Sequence, residues 1–377
     1  MFLALIAYPM PQLLSSLLLL CLLASACRPM VTPAPVNPGV STLPRLASDQ
    51  AIGMIESFNL SNPAQTQDSV AARWREALGA GLRIARLQID WPELEPEEDR
   101  YDEAVLREPL EALAQQGQEV FLLISVYDSD GPVLPEYLAG EALDSERLQR
   151  RFEALMDWVV PMLSQHGGYA LAISNEPDNA FGERRRLARR VQTFARRSRA
   201  YIHQLDDSLA VTITLNHGNL AAHERDMRAL MAELDIGCFN LYGSGLFPMD
   251  QPYSPEETHA HVDQLLDLAG ERHVIIQELG MHDATELNSS EEIQQRFFET
   301  FFARMQNETQ IRAAYVFQLV DWSPETVDLL NQLYEPNTPQ DFIDDYGTVL
   351  QHLGLIRYED GQRKAAWDTF VRWVAAI

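Results

Sequence analysis

Tyr169-Ala-Leu-Ala-Ile-Ser-Asn-Glu-Pro-Asp178 and His273-Val-Ile-Ile-Gln-Glu-Leu-Gly280 are the stretches that decide how this chain folds. Each is an apolar run of strand length bounded by turn residues. Each ends in a glutamate, Glu176 or Glu278, where strand should give way to loop. A carboxylate at the end of a buried strand is costly unless it is paired, hydrogen-bonded or in use. Two of them suggest a pair that performs acid/base or nucleophilic work.

Outward from these runs, short apolar segments alternate with longer amphipathic ones. Strands are expected at 51–58, 82–89, 119–126, 169–175, 209–215, 235–241, 273–277 and 313–319. Helices are expected at about 66–80, 103–117, 146–166, 183–205, 222–233, 255–270, 290–308 and 363–375. No hairpin interrupts the series, so the strands must be parallel and joined by helical crossovers. Eight such units fit a single α/β domain, a (β/α)8 TIM barrel. A doubly wound open sheet would show a Gly-rich phosphate loop after an early strand. The first turn reads Asn59-Leu-Ser-Asn-Pro63 and has none. In a barrel the glutamates end strands four and seven, and catalytic groups collect at such C-terminal strand ends.

The N-terminus reads differently. Leu13 to Ala26 is almost unbroken apolar sequence, suited to the h-region of an export signal. It closes in Leu23-Ala-Ser-Ala-Cys27, which resembles a bacterial lipobox with Cys27 as the lipidated residue. Residues 1–27 are therefore expected to be a lipoprotein signal, with an ordinary secretion signal or a retained anchor as alternatives. Residues 28–47, with Pro29, Pro33, Pro35, Pro38 and Pro44, read as an extended tether. Residues 48–377 form the expected catalytic domain. The destination is an outer membrane or cell surface through the lipid, or else the periplasm or exterior.

The 377 residues carry a formal net charge of −26, which argues against nucleic acid as a partner. Cys21, Cys27 and Cys238 imply no disulfide framework, and Cys238 reads as a small buried hydrophobe. One stretch opposes the acidic trend: Arg184, Arg185, Arg186, Arg189, Arg190, Arg196, Arg197 and Arg199. It reads as a solvated helix face around Leu187, Val191 and Phe194, or as a contact for anionic lipid or acidic glycan. The histidines show no metal-site spacing and no cofactor fingerprint is present, so no metal and no cofactor are expected.

The barrel resembles the clan A glycoside hydrolases, either cellulase-like family 5 or a family 39-like member. Asn175-Glu176-Pro177 matches their acid/base element after strand four, and Gln277-Glu278 their nucleophile after strand seven. Arg86, Trp91 and Pro92-Glu-Leu-Glu-Pro96 after strand two, Asn240-Leu-Tyr242 at strand six and Trp322 after strand eight extend the likeness. Gly354-Leu-Ile-Arg357 and Lys364-Ala-Ala-Trp367 resemble the closing turn and helix. Asn240 stands where cellulase-like members usually carry His, and Val126-Tyr127-Asp128 lacks another frequent His; His217 and His282 lie nearby instead. The resemblance implies a retaining hydrolase, with Glu278 as nucleophile beside Arg86 and Tyr242 and Glu176 as acid/base. Asn175 would hold a sugar hydroxyl, Asn240 would line the substrate site, and Trp322 and Trp91 would stack on sugar.

Cleavage through an oxocarbenium-like state needs one protonated and one ionised carboxyl group. Direct attack by the second needs a separation of about 5–5.5 Å. The expected partner is a carbohydrate and the expected state a monomer. The competing readings are a catalytically inactive carbohydrate-binding barrel on a surface lipoprotein, and a barrel lyase or metal hydrolase. Loops 129–144 and 322–346 are expected to shape the cleft, the latter with Tyr334.

Overall fold

The computed structural model describes residues 50–57, 59–129, 131–182, 186–245, 249–332 and 338–377. The signal, Cys27, the tether, Arg184, Arg185 and Tyr334 lie outside the described residues.

Eight parallel strands form the centre: β1 Ala51–Met54, β2 Ile84–Asp90, β3 Glu119–Ser125, β4 Gly168–Asn175, β5 Ala210–Asn216, β6 Gly237–Tyr242, β7 Val274–Gly280 and β8 Ile311–Val316. The ladder runs β1-β8-β7-β6-β5-β4-β3-β2, and β1 and β2 lie side by side at the seam. This is the (β/α)8 barrel that the alternation implies. The barrel helices are α1 Ala64–Ala80, α2 Glu103–Gln115, α3 Glu146–Gln165, α4 Leu187–Leu205, α5 Leu220–Met231, α6 Pro255–Ala269 and α7 Glu291–Gln306. Then come α8 Pro324–Asn331, α9 Gln340–Leu350 and the closing α10 Ala365–Val374.

The helices start where capping chemistry tells them to. Ser145 and Ser290 accept from backbone amides in the first turns of α3 and α7. Ser254 and Glu257 form a reciprocal capping box at α6, with Pro255 in the first position. Each capped end frees no buried amide donor and fixes where the preceding loop stops.

Two apolar layers hold the barrel. Between sheet and helices lie residues such as Leu87, Leu122, Phe152, Ile173, Phe194, Val211, Phe239, Ile276 and Phe298. Inside the barrel, Ile84, Phe121, Tyr169, Cys238, Ile275 and Tyr315 fill the lower layers. The Phe121 ring sits 6.3 Å from Tyr169 and 6.0 Å from Tyr315, and the two tyrosine hydroxyls meet. This plug makes the lower barrel a packed core, so polar chemistry is confined to the C-terminal mouth. Cys238 is fully buried there, as expected.

Two details differ from the sequence reading. A hairpin does occur: Tyr127–Asp128 pairs antiparallel with Gly131–Pro132 directly after β3. The segment expected as a long loop after β8 instead holds α8 and α9. Ser323 caps α8 ahead of Pro324, and an apolar face of Val327, Leu330 and Leu350 packs the two helices together.

The arginines of α4 are largely matched by acids on neighbouring elements. Arg190 pairs with Asp144 at 3.3 Å, Arg197 with Glu146 at 2.8 Å and Arg199 with Asp235 at 2.5 Å. Leu187, Val191 and Phe194 face the core. This is the solvated helix face rather than a free cationic stripe.

Candidate active site

Both glutamate-bearing strands carry a bulge just before the glutamate. In β4 the partners on β5 step from Thr212 opposite Ala172 to Thr214 opposite Asn175. In β7 the partners on β6 step from Phe239 opposite Ile276 to Asn240 opposite Glu278, leaving Gln277 extra. A bulge bends the strand and re-aims the next side chain. Glu176 follows in the left-handed region at φ 47° and ψ 41°, and Pro177 opens a short 3-10 turn. A non-glycine there stores strain on the order of 1 kcal/mol, which the surrounding hydrogen bonds must hold. They do: the Glu176 amide donates to Thr214 O at 2.9 Å and its carbonyl accepts from Asn179 N at 3.1 Å.

Four neutral donors surround the Glu176 carboxylate. Asn216 Nδ2 at 2.7 Å and Asn240 Nδ2 at 2.8 Å both reach Oε1. Ser129 Oγ at 2.7 Å and Asn179 Nδ2 at 3.1 Å reach Oε2. Burial pushes the Glu176 pKa up, the bonds from Ser129 and Asn240 pull against it, and the Asp128 charge adds to the rise. Asp178, fully buried behind it, accepts from Asn216 N at 3.1 Å and Asn219 Nδ2 at 2.9 Å. Burial and the Glu176 charge push Asp178 up to about 8.

Glu278 has a different shell. Arg86 Nη2 lies 3.2 Å from Oε1, Tyr242 OH donates to Oε2 at 2.5 Å, and Gln277 Nε2 reaches Oε1 at 3.2 Å. Burial raises the Glu278 pKa to about 7; Arg86 opposes that rise, while the Glu176 charge reinforces it. The two carboxyls repel each other's ionisation, and a cation stands beside only one of them. Among the described residues the Arg86 cation pairs with Glu278 and none pairs with Glu176, an asymmetry that favours the ionised form at Glu278. The Tyr242 hydroxyl is driven well above its ordinary range by burial and by Glu278, so it remains a donor.

Asp128 joins strands two, three and four. Its Oδ1 accepts from Asn175 Nδ2 at 3.0 Å and from Ser129 N at 2.7 Å. Its Oδ2 accepts from Gln88 Nε2 at 3.2 Å and Ser125 Oγ at 3.1 Å. Asn175 Oδ1 is buried with no hydrogen-bond partner among the described residues, an acceptor left for something else.

Arg86, Asn175, Asn240 and Tyr242 thus gather around the two glutamates, but Asn240 holds Glu176 directly. Trp91 does not join them. It is fully buried between sheet and helices, edge-on to Phe152 at 5.5 Å, with Nε1 donating to Glu95 at 2.9 Å. It opens the one-turn helix Trp91–Leu94 capped by Asp90, and that turn swings its ring outward from the sheet. Trp322 is half-buried beside α8 and donates to Gln318 Oε1 at 2.5 Å. Phe317, the residue after β8, meets Tyr242 edge-on at 6.2 Å. His217 pairs with Gln264 at 3.1 Å and meets His261 edge-on, while His282 faces Met249 O at 3.2 Å, so neither imidazole is bonded to the glutamates.

Sequence reasoning missed Gln88, Ser129, Asn179, Asn216 and Phe317. Gln88 and Phe317 share the inward alternation of Ile84, Arg86 and of Ala313, Tyr315, a signal that was available. Ser129 and Asn179 sit in turns, where no periodicity points. Among the described residues, no group of His, Cys, Asp and Glu side chains is arranged to hold a metal ion, and no helix is long and apolar enough to cross a membrane.

No protein-family model matches the chain, and no curated protein matches it. Solved structures do. A GH5_18 glutamate-to-alanine variant from Bifidobacterium longum subsp. longum, in complex with Manβ1-4GlcNAc, aligns with TM-score 0.65 at 15% identity over 87% of this chain and 78% of that one. A GH5_18 variant from Streptomyces cattleya, with the same disaccharide, aligns with TM-score 0.64 at 13% identity, covering 86% and 80%. The exo-β-1,4-mannosidase Op5Man5 from Opitutaceae bacterium strain TAV5 aligns with TM-score 0.59 at 15% identity over 87% of this chain and 59% of that one. At this identity the likeness establishes the (β/α)8 fold.

Proposed function

We propose that this protein is a retaining glycoside hydrolase acting on a poly- or oligosaccharide. The observation that supports this best is the unequal pair: Glu278 beside Arg86 and Tyr242, and Glu176 in a shell of neutral donors, at one barrel mouth. Glu278, kept ionised, attacks the anomeric carbon while Glu176 gives its proton to the departing oxygen. In the second step Glu176 takes a proton from water, which displaces Glu278 from the sugar. Asn175 Oδ1 meets a sugar hydroxyl, Phe317 and Trp322 line the apolar wall, and no cofactor is required. Structural neighbours that bind Manβ1-4GlcNAc or act as β-mannosidases favour a β-linked neutral sugar as substrate. Export as a lipoprotein through Cys27, with residues 28–47 as a spacer, would display the enzyme at a membrane surface.

The test is a panel of aryl β-glycosides and oligosaccharides with the wild type and Glu278→Ala. Hydrolysis should disappear in the variant, and azide should restore a glycosyl azide of inverted configuration. A 2-fluoro glycoside should label Glu278. Near-normal turnover by Glu278→Ala would overturn the assignment; glycan binding without turnover by the wild type would leave a recognition protein.

A further inference from the structure

The two oxygens of Glu176 are not equivalent, and the difference depends on a residue after β3. Asn216 Nδ2 and Asn240 Nδ2 converge on Oε1. The Asn216 amide cannot turn over freely, because its Oδ1 accepts from Gly218 N at 2.9 Å. A proton on Oε1 would face the pinned Asn216 N–H, which can only donate. On Oε2, Asn179 Nδ2 is likewise a fixed donor, since its own Oδ1 accepts from Asn219. Among the described residues the remaining hydrogen-bond partner of Oε2 is Ser129 Oγ at 2.7 Å, a hydroxyl that can either donate or accept. Asp128 holds Ser129 in place through the Ser129 backbone amide at 2.7 Å.

We propose that Ser129 is a positioning residue that sets the catalytic proton on Glu176 Oε2 and reverses its hydrogen bond as that proton leaves and returns. Ser129 Oγ accepts from the acid before transfer. When the proton passes from Oε2 to the departing glycosidic oxygen, the hydroxyl turns and donates to the new carboxylate. When water later gives its proton to Oε2, the hydroxyl turns back. The pinned amides of Asn216 and Asn179 donate throughout and need not move. The charged and titratable groups facing Glu176 are Asp128 after β3, Asp178 behind it, Tyr242 on β6 and Glu278 on β7 with its partner Arg86. Among the described residues none of these is hydrogen-bonded to Oε2, where Ser129 and Asn179 stand.

This inference rests on Glu176 being the acid/base, so the experiment contains a control for that reading. Ser129→Ala, Ser129→Thr and Glu176→Ala are assayed as full-length protein with glycosides of poor and good leaving groups across pH. Ser129→Ala should lose on the order of tenfold to a hundredfold in kcat/KM on a poor leaving group. It should lose little on a dinitrophenyl glycoside, whose departure needs no proton. The alkaline limb should move to higher pH, because the carboxylate of Glu176 has lost a donor, and Ser129→Thr should restore both. A loss equal for both leaving groups with an unmoved limb overturns the role of Ser129. If Glu176→Ala keeps its activity on poor leaving groups, the acid/base assignment itself fails. If that variant is inactive and azide-rescued while Ser129→Ala behaves as wild type, Ser129 alone is at fault.

Discussion

Asn240 donates its side-chain amide to Glu176 Oε1 at 2.8 Å while standing in strand register with Glu278. One side chain therefore touches the proposed acid and stands beside the proposed nucleophile. The bulge at Gln277 brings Glu278 level with Asn240, so a backbone irregularity in β7 fixes how the two carboxyls approach. Asn240→Ala removes a donor from an already buried carboxylate. A fall in kcat/KM of about 10- to 100-fold is expected, as for loss of a hydrogen bond to a charged group. The loss should be steepest for poor leaving groups. Equal loss across a leaving-group series would show that Asn240 does not act through Glu176.

Arg86 is the cation that assigns the charge to Glu278, at 3.2 Å. The proposed mechanism needs Glu278 ionised, so activity should rise as pH climbs through the Glu278 pKa of about 7. Arg86→Met removes the group opposing that rise, so the acidic limb of kcat/KM should move to higher pH. A loss on the order of 100-fold at pH 6 should shrink as pH increases. A limb that stays in place would remove Arg86 from this role.

The mutual repulsion of the glutamates has its own signature. The Glu176 charge helps hold the Glu278 pKa up. In Glu176→Ala, assayed with a dinitrophenyl glycoside that needs no acid, the acidic limb should move to lower pH. This is opposite in sign to the Arg86→Met shift. Both variants moving the limb in one direction would mean that the titrating group is not Glu278.

Trp91 and Trp322 separate packing from recognition. Trp91 fills the space between sheet and helices, so Trp91→Ala should cost about 3–5 kcal/mol of stability, read by chemical denaturation. Trp322→Ala, at a half-buried position, should raise KM with a much smaller stability change. A Trp91→Ala protein of normal stability and weakened substrate binding would reverse this placement.

The barrel and its paired glutamates were legible because they follow from local periodicity. Strand-length apolar runs alternate with amphipathic ones, and Glu176 and Glu278 stand where each run breaks. Arg86 and Tyr242 were legible through the resemblance to clan A hydrolases, which places such residues at the ends of strands two and six. Trp91 misled because it also follows a strand directly, yet Asp90 and Pro92 start a helical turn there, and that turn carries the ring into the core. Ser129 and Asn216 reach Glu176 across 47 and 40 residues, separations that a pattern of two or 3.6 residues does not encode, while Asn179 is three residues away in a turn that carries no periodicity. The bulges in β4 and β7 were equally invisible: an extra residue changes register without changing composition.

Lys364, the chain's single lysine, lies far from the glutamates in sequence and tests what holds the β7 and β8 loops. It is almost wholly buried, with Nζ 3.0 Å from Asp283 Oδ1, 2.8 Å from Asp321 Oδ1 and 3.2 Å from His352 O. It thereby ties the N-terminus of α10 to the segments that follow β7 and β8, the second of which carries Trp322. Lys364→Met leaves two buried carboxylates without their cation, which should cost about 3–5 kcal/mol near pH 8. Burial already holds Asp321 up at about 7, against the pull of Lys364. A carboxyl whose folded pKa is raised stabilises the fold at pH below its unfolded value, and that stabilisation is lost as pH rises through the folded one. In the variant Asp321 should therefore be neutral at pH 5, while protonated His352, 3.1 Å from Asp283, compensates the other charge. The Tm deficit relative to wild type should be large at pH 8 and small at pH 5. A deficit of equal size at both values would mean that Lys364 contributes packing rather than charge to these loops.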